Sequence, residues 1–408
     1  MDGAVNCRLG LVASAVLGAA WLGGCAGAAQ GSGHGQVTAG TVITVSAAGC
    51  GAGWRHPHSG PQTFQLRNVS AGAAEVYLIN PLQGSLDPDS VSAPVFAEVE
   101  GLGPGTTTPM QVDVGSGTYA FECELQRDGT RIGPIVRIPG DVRGTPGILS
   151  VTFDDLIGSP IAPFAPARQY RAYVSSGLDT LASEVDALMA DVGAGNLATA
   201  RQAWLSSHLS YERLGAAYGT FGTFDSEIDG RADGLAGGLH SPRFTGFYRV
   251  EYGLWHGQSA ADLTGPVTLL DHDLRGLRTA FPTMRLVLSD LGLRAHEILE
   301  NALQFQLTGH DDYGSGTTLA TTSANVDGTL ELLKVLHPLL TTRYDGLPQA
   351  YAWLHRLQRL VDAARRPGGW TPVGALPASQ REQIDAAAGQ ALEDLAPIAA
   401  IFEVQKQI

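Results

Sequence analysis

The chain has 408 residues, 44 % of them hydrophobic and 16 % charged, enough apolar content for two or three separate cores and too much for a disordered chain. Its 40 acidic residues against 26 basic ones leave a formal charge of -14. With no Lys/Arg cluster to meet a phosphate backbone, nucleic acid is disfavoured as a partner. An acidic exterior serves solubility and also attracts cations.

At the N-terminus, Leu9 to Leu22 is an apolar, small-residue run preceded by Arg8, and it ends in Leu22-Gly-Gly-Cys25. That ending looks like a bacterial lipobox, which predicts cleavage before Cys25, acylation of its thiol and residence on the outer face of the cytoplasmic membrane or in the periplasm. The run is too short for a comfortable membrane span, and several acyl chains together anchor stably. An ordinary signal peptide cut nearby is the other reading. Residues 26–40 are Gly/Ala/Ser/Gln-rich without apolar periodicity, as in a flexible tether.

From residue 41 to about 140 the pattern alternates with period two. The runs are Val42-Ile-Thr-Val-Ser46, Thr63-Phe-Gln-Leu66, Glu75-Val-Tyr-Leu-Ile79, Phe96-Ala-Glu-Val-Glu100, Met110-Gln-Val-Asp-Val114 and Tyr119-Ala-Phe-Glu-Cys123. Turn residues such as Gly103-Pro-Gly105 separate them, which predicts a β-sandwich of six or seven strands. Residues 141–166 read as a connector, with one hairpin strand at Ile148-Leu-Ser-Val-Thr-Phe153. Beyond Pro166 the period changes to 3.6, and helices are predicted over 167–192, 197–218, 244–256, 260–281, 286–307, 319–342, 347–366 and 378–405, an all-α bundle.

Of four cysteines, Cys7 and Cys25 belong to the export segment, leaving Cys50 and Cys123 in the β-region. In an oxidising compartment such a pair reads as a disulfide closing a loop of about seventy residues. The alternative is cysteine ligation of copper. A blue-copper centre needs two His, one Cys and an axial ligand. His56 and His58 lie near Cys50, but no His follows Cys123 within that region, so copper there is disfavoured.

In the helical part, Tyr248 and Glu251 are i and i+3 on one predicted helix, beside an apolar face of Phe247, Val250 and Leu254. A polar pair next to a buried stripe is how a bundle helix presents ligands to its interior. His208 and Glu212 are i and i+4 on an earlier helix and share a face.

The stretches Tyr211-Glu-Arg-Leu-Gly215 and Phe244-Thr-Gly-Phe-Tyr-Arg-Val-Glu251 resemble the imelysin-like domain of the EfeO and EfeM family of secreted iron-uptake proteins. The β-region, through Gly49-Cys-Gly51, Trp54, Ala97-Glu-Val-Glu-Gly-Leu-Gly-Pro-Gly105 and Tyr119-Ala-Phe-Glu-Cys123, is similar to that family's cupredoxin-like domain. The resemblance implies a cupredoxin-like β-sandwich followed by an all-α double helical bundle, and a metal site of Glu212, Asp229, Tyr248 and Glu251. The family motif reads Gly-Phe-His-Arg-(Ile/Val)-Glu; here Tyr248 stands in the His position, and Gly215 stands where relatives often carry another Glu. Thr308-Gly-His-Asp-Asp-Tyr-Gly-Ser-Gly316 resembles a Thr-Gly-Glu-Glu-x-Tyr-Ser loop, through which Asp311 would add a carboxylate. A second site at Glu75, Glu98 and Glu100 is implied in the β-region, although alternate Glu on a strand commonly marks only its solvent face.

An all-oxygen set with a phenolate favours Fe(III) over Zn(II) or Cu(II). Alternatively, His208 supplies the imidazole missing at 248, with Tyr248 a packed residue whose hydroxyl is hydrogen-bonded. Asp229 reads otherwise as a turn or cap residue, and Glu251 as half of a buried ion pair with Arg231 or a neighbour of Arg249. The family role implied is a lipid-anchored, non-enzymatic component that captures Fe(II) or Fe(III) and passes it to an Efe-type permease, alongside a secreted haem peroxidase. Three alternatives remain: a degenerate member without metal affinity, a cation-dependent binder of acidic polysaccharide, and a metallopeptidase. The last is the weakest, because no His-Glu-x-x-His occurs and the motif His is absent.

Overall fold

The computed structural model describes residues 40–81, 93–151, 166–286 and 290–402. The lipobox with Cys25 and the Gly-rich stretch up to residue 39 lie outside the described residues.

Among the described residues nine strands build the first part: β1 (Thr41–Ser46), β2 (Gly49–Ala52), β3 (Gly60–Asn68), β4 (Ala74–Ile79), β5 (Val95–Leu102), β6 (Thr107–Val114), β7 (Gly117–Leu125), β8 (Gly129–Ile132) and β9 (Val136–Ile138). One sheet runs β2-β1-β3-β6, the other β5-β4-β7-β8 with β9 also on β7; β1 and β3 pair in parallel, and the other pairs are antiparallel. The inward set of the period-two pattern forms one core, with Ile43, Phe64, Leu66 and Met110 from the first sheet against Val76, Leu78 and Phe121 from the second. Trp54, Phe64 and Phe121 meet edge to face with ring centroids 5.0–5.7 Å apart. Cys50 on β2 is bonded to Cys123 on β7, a cross-link between the two sheets. Both sulfurs are used in that bond, so neither offers a thiolate to a metal.

The predicted hairpin strand at 148–153 reduces, among the described residues, to a single antiparallel bridge between Val95 and Ile148. Past it, the N–H of Val151 donates to the carbonyl of Ile401 at 2.8 Å, tying the connector to the last helix.

The helices are α1 (Pro166–Gly193), α2 (Leu197–Glu212), α3 (Tyr218–Phe221), α4 (Thr223–Ile228), α5 (Gly246–Trp255), α6 (Ala260–Ala280), α7 (Asp290–Asn301), α8 (Thr318–Leu340), α9 (Leu347–Asp362) and α10 (Ala378–Phe402). Their apolar stripes share one continuous core in which α1 packs on α2 and α6, and α10 on α7 and α9. Two differences from the sequence reading bear on function. The helix expected to run to 218 stops at Glu212, and two short helices, α3 and α4, follow. The helix expected over 286–307 ends at Asn301 and continues as a wider π-turn, Ala302–Gln306. Both irregularities fall beside one cavity, as π-turns often do at functional sites.

Gly246 decides how α5 docks. Its φ is +74°, and a Cβ there would sit 2.0 Å from the carbonyl oxygen of Ile228. Only glycine lets the start of α5 lie against the end of α4, where Asp229 follows directly.

Candidate metal centre

Trp204, His208 and Glu212 recur every four residues along α2 and so line one face. The indole Nε1 of Trp204 donates to the carbonyl of Phe247 at 2.9 Å, fixing α2 to α5. The His208 ring stacks on Trp204 with centroids 5.0 Å apart and meets Phe247 and Tyr248 at 5.2 and 5.3 Å. This aromatic box leaves the imidazole one polar outlet. His208 Nε2 lies 3.1 Å from Glu212 Oε1 and 3.1 Å from Asp229 Oδ1. Nδ1 is buried with no hydrogen-bond partner. The three ligand atoms lie within 4.8 Å of one another, the single group of that kind among the described residues.

The electrostatics follow from burying three charges together. Burial opposes a charged His208, but its hydrogen bonds to Asp229 and Glu212 and their negative charges outweigh that, raising its pKa well above the usual 6.5. Asp229 is pushed up to about 7 by burial and by Glu212, with His208 pulling the other way. Asp225, one turn before Asp229, is pushed up to about 6 by burial; the Tyr211 hydroxyl, which donates to it at 2.8 Å, and Arg294 restrain the rise. His208 Nε2 thus faces both carboxyl groups at once.

The polar groups of the other residues singled out in the sequence have different partners. Tyr248 donates its hydroxyl to Asp311 Oδ2 at 3.1 Å, and Gln306 Nε2 donates to the same oxygen at 2.7 Å. Burial first, then the charges of Asp229, Asp311, Glu212 and Glu251, raise the Tyr248 phenol well above its usual 10.0, so it stays neutral here. Glu251 is buried, and its Oε1 accepts from the backbone N–H groups of Tyr313 and Ser315 at 3.1 and 3.0 Å. It therefore pins the loop that follows Asp311. In the β-region, Tyr77 donates to Glu75 Oε2 at 3.1 Å, and Glu98 on β5 lies opposite Tyr77. Glu75, Glu98 and Glu100 form no three-ligand group like that of His208.

A cavity of about 150 Å³ opens beside the trio. Glu212, Asp229 and Tyr248 lie on its wall, together with Asp225, Arg231, Arg294, Gln306 and Asn325. Of these, Asp225, Arg294, Gln306 and Asn325 were not singled out from sequence, and Arg231 only as a possible ion-pair partner of Glu251. Asp225 was within reach, since it sits four residues before Asp229; Gln306 owes its place to the π-turn, which leaves no mark in a hydrophobic period.

A two-sheet β-domain is thus followed by a helical bundle in which an imidazole and two carboxyl groups converge beside a cavity. The chain belongs to the imelysin family, whose model matches residues 166–398. It is 27 % identical over 278 residues to the iron uptake system component EfeO of Yersinia pestis, covering 67 % of this chain and 70 % of that protein. It is 24 % identical over 341 residues to EfeO of Escherichia coli K12, covering 82 % of this chain and 87 % of the relative. It is also 27 % identical over 212 residues to the iron uptake system component EfeM of Pseudomonas syringae, covering 48 % of this chain and 72 % of EfeM.

Proposed function

We propose that this chain is an extracytoplasmic component of an Efe-type iron uptake system, which takes iron at His208, Glu212 and Asp229 and passes it to a membrane permease. The observation that carries the reading is the convergence of one imidazole nitrogen and two carboxylate oxygens within 4.8 Å at the edge of a cavity. Imidazole with carboxylates suits iron. In this reading iron replaces the His208 proton. Tyr248 acts one step back by holding Asp311, and Glu251 by holding the backbone at Tyr313 and Ser315. The likeness to proteins named as iron uptake components supports iron as the cargo. The lipobox-like Leu22–Cys25 supports a lipid anchor outside the cytoplasmic membrane, and the family resemblance brings with it a permease and a secreted haem peroxidase as partners.

The test is anaerobic Fe(II) titration of the soluble chain starting after Cys25, read by calorimetry and by elemental analysis. One iron per chain is expected, with His208→Ala and Glu212→Gln each weakening binding at least tenfold. Failure to retain iron, or retention indifferent to both substitutions, refutes the proposal.

A further inference from the structure

Two arginines stand in the wall of the same cavity, facing its carboxylates, with side chains 34 % (Arg231) and 26 % (Arg294) exposed. Arg231 lies flat on Phe305, its guanidinium carbon 3.4 Å from the ring centroid, and its Nε is 3.9 Å from Asp233 Oδ2. Arg294 on α7 pairs through Nη1 with Glu297 Oε2 at 2.7 Å. The Nε atom of each is buried and has no hydrogen-bond partner. Gln306, also on the wall and 6 % exposed, spends its Nε2 on Asp311, while its Oε1 is buried and unpartnered. Buried N–H groups without acceptors are costly, and a guanidinium is the side chain that grips oxyanions.

The cation side is incomplete in a complementary way. The trio offers three donor atoms from one side. Iron takes up to six, so the trio leaves positions that oxygens from outside the chain can fill. The cavity's 150 Å³ far exceeds the ~10–15 Å³ that one water needs, which leaves room for an ion and a small polyoxygen ligand together.

We propose that the cavity takes iron together with a small chelating oxyanion, bridged between the metal at His208, Glu212 and Asp229 and the guanidinium groups of Arg231 and Arg294. This rests on the iron reading above. The anion gives oxygen lone pairs to the metal and accepts N–H bonds from the arginines. A hydroxyl on the anion donates to Gln306 Oε1, so a hydroxycarboxylate or a protonated phosphate fits better than a plain carboxylate.

The test is equilibrium dialysis of the same soluble chain against anaerobic Fe(II) in chloride buffer, alone and with radiolabelled citrate or radiolabelled inorganic phosphate. One labelled anion retained per iron is expected, with iron affinity raised at least tenfold by that anion. The citrate and phosphate arms tell the two anion chemistries apart. Arg231→Gln and Arg294→Gln are expected to lose the label and the tenfold gain. Wild-type chain that binds iron equally with and without either anion and retains neither overturns the clamp while leaving iron capture intact. A chain that binds no iron in any arm overturns both. The wild-type arms decide the matter even if an arginine variant fails to fold.

Discussion

Replacing Glu251 by Gln tests whether this carboxyl is a buried acid serving the loop. Glu251 is 1 % exposed, and burial pushes it up from 4.5 to about 8, against the pull of its hydrogen bonds from Ser315 and the charge of His208. The folded-state pKa is raised, so the group's contribution to stability is present below about 4.5 and is lost as pH rises through about 8. At about 1.4 kcal/mol per unit the loss has a ceiling of about 5 kcal/mol, and relaxation of the loop brings it to about 2–4. Glutamine keeps the shape and the acceptor oxygen for the N–H groups of Tyr313 and Ser315 while removing the charge. Glu251→Gln should therefore stabilise the metal-free chain by about 2–4 kcal/mol at pH 8 and leave it unchanged near pH 4.5. Urea unfolding in the presence of a chelator, at a series of pH values, measures this directly. Destabilisation at pH 8 would refute the reasoning, because it would mean that an ionised Glu251 is paired with a positive group.

Three further outcomes follow from the same geometry. Because His208 holds its proton above the usual imidazole range and Asp229 is pushed up to about 7, iron must expel protons from the site, and affinity should rise by about tenfold or more per pH unit between pH 5.5 and 6.5; calorimetric affinity flat across that range would contradict this. Gly246→Ala forces a Cβ to within 2.0 Å of the Ile228 carbonyl oxygen, so it should cost roughly 3 kcal/mol or more and misplace Asp229. The check is thermal unfolding together with iron stoichiometry, and unchanged values in both would refute it. Replacing Cys50 and Cys123 by Ser opens a loop with a sequence separation of 73 and should destabilise the β-domain by about 4 kcal/mol on the chain-entropy account. Iron binding at the helical site should be untouched by that change, as measured by denaturant unfolding beside the same dialysis.

Much of the architecture was legible along the chain. Alternation of period two marked the runs that became β1 and β3 to β7, whose buried set includes Ile43, Phe64, Leu66, Val76 and Phe121, and the change to 3.6 at Pro166 marks the start of α1. Such periods are visible because an element buries one face whatever its partner is. His208 and Glu212 could also be placed on one face, since both lie on one regular helix.

The tertiary structure alone decided which polar groups meet. Asp229 joins His208 because Gly246 permits a backbone approach between two segments eighteen residues apart, and no local period encodes that contact. Tyr248 and Glu251, paired by spacing, are parted by their partners, Asp311 for one and the 313–315 backbone for the other. A helix states only the direction in which a side chain leaves its axis. The oxygen or nitrogen waiting there belongs to another element, whose position is settled by packing of the whole core.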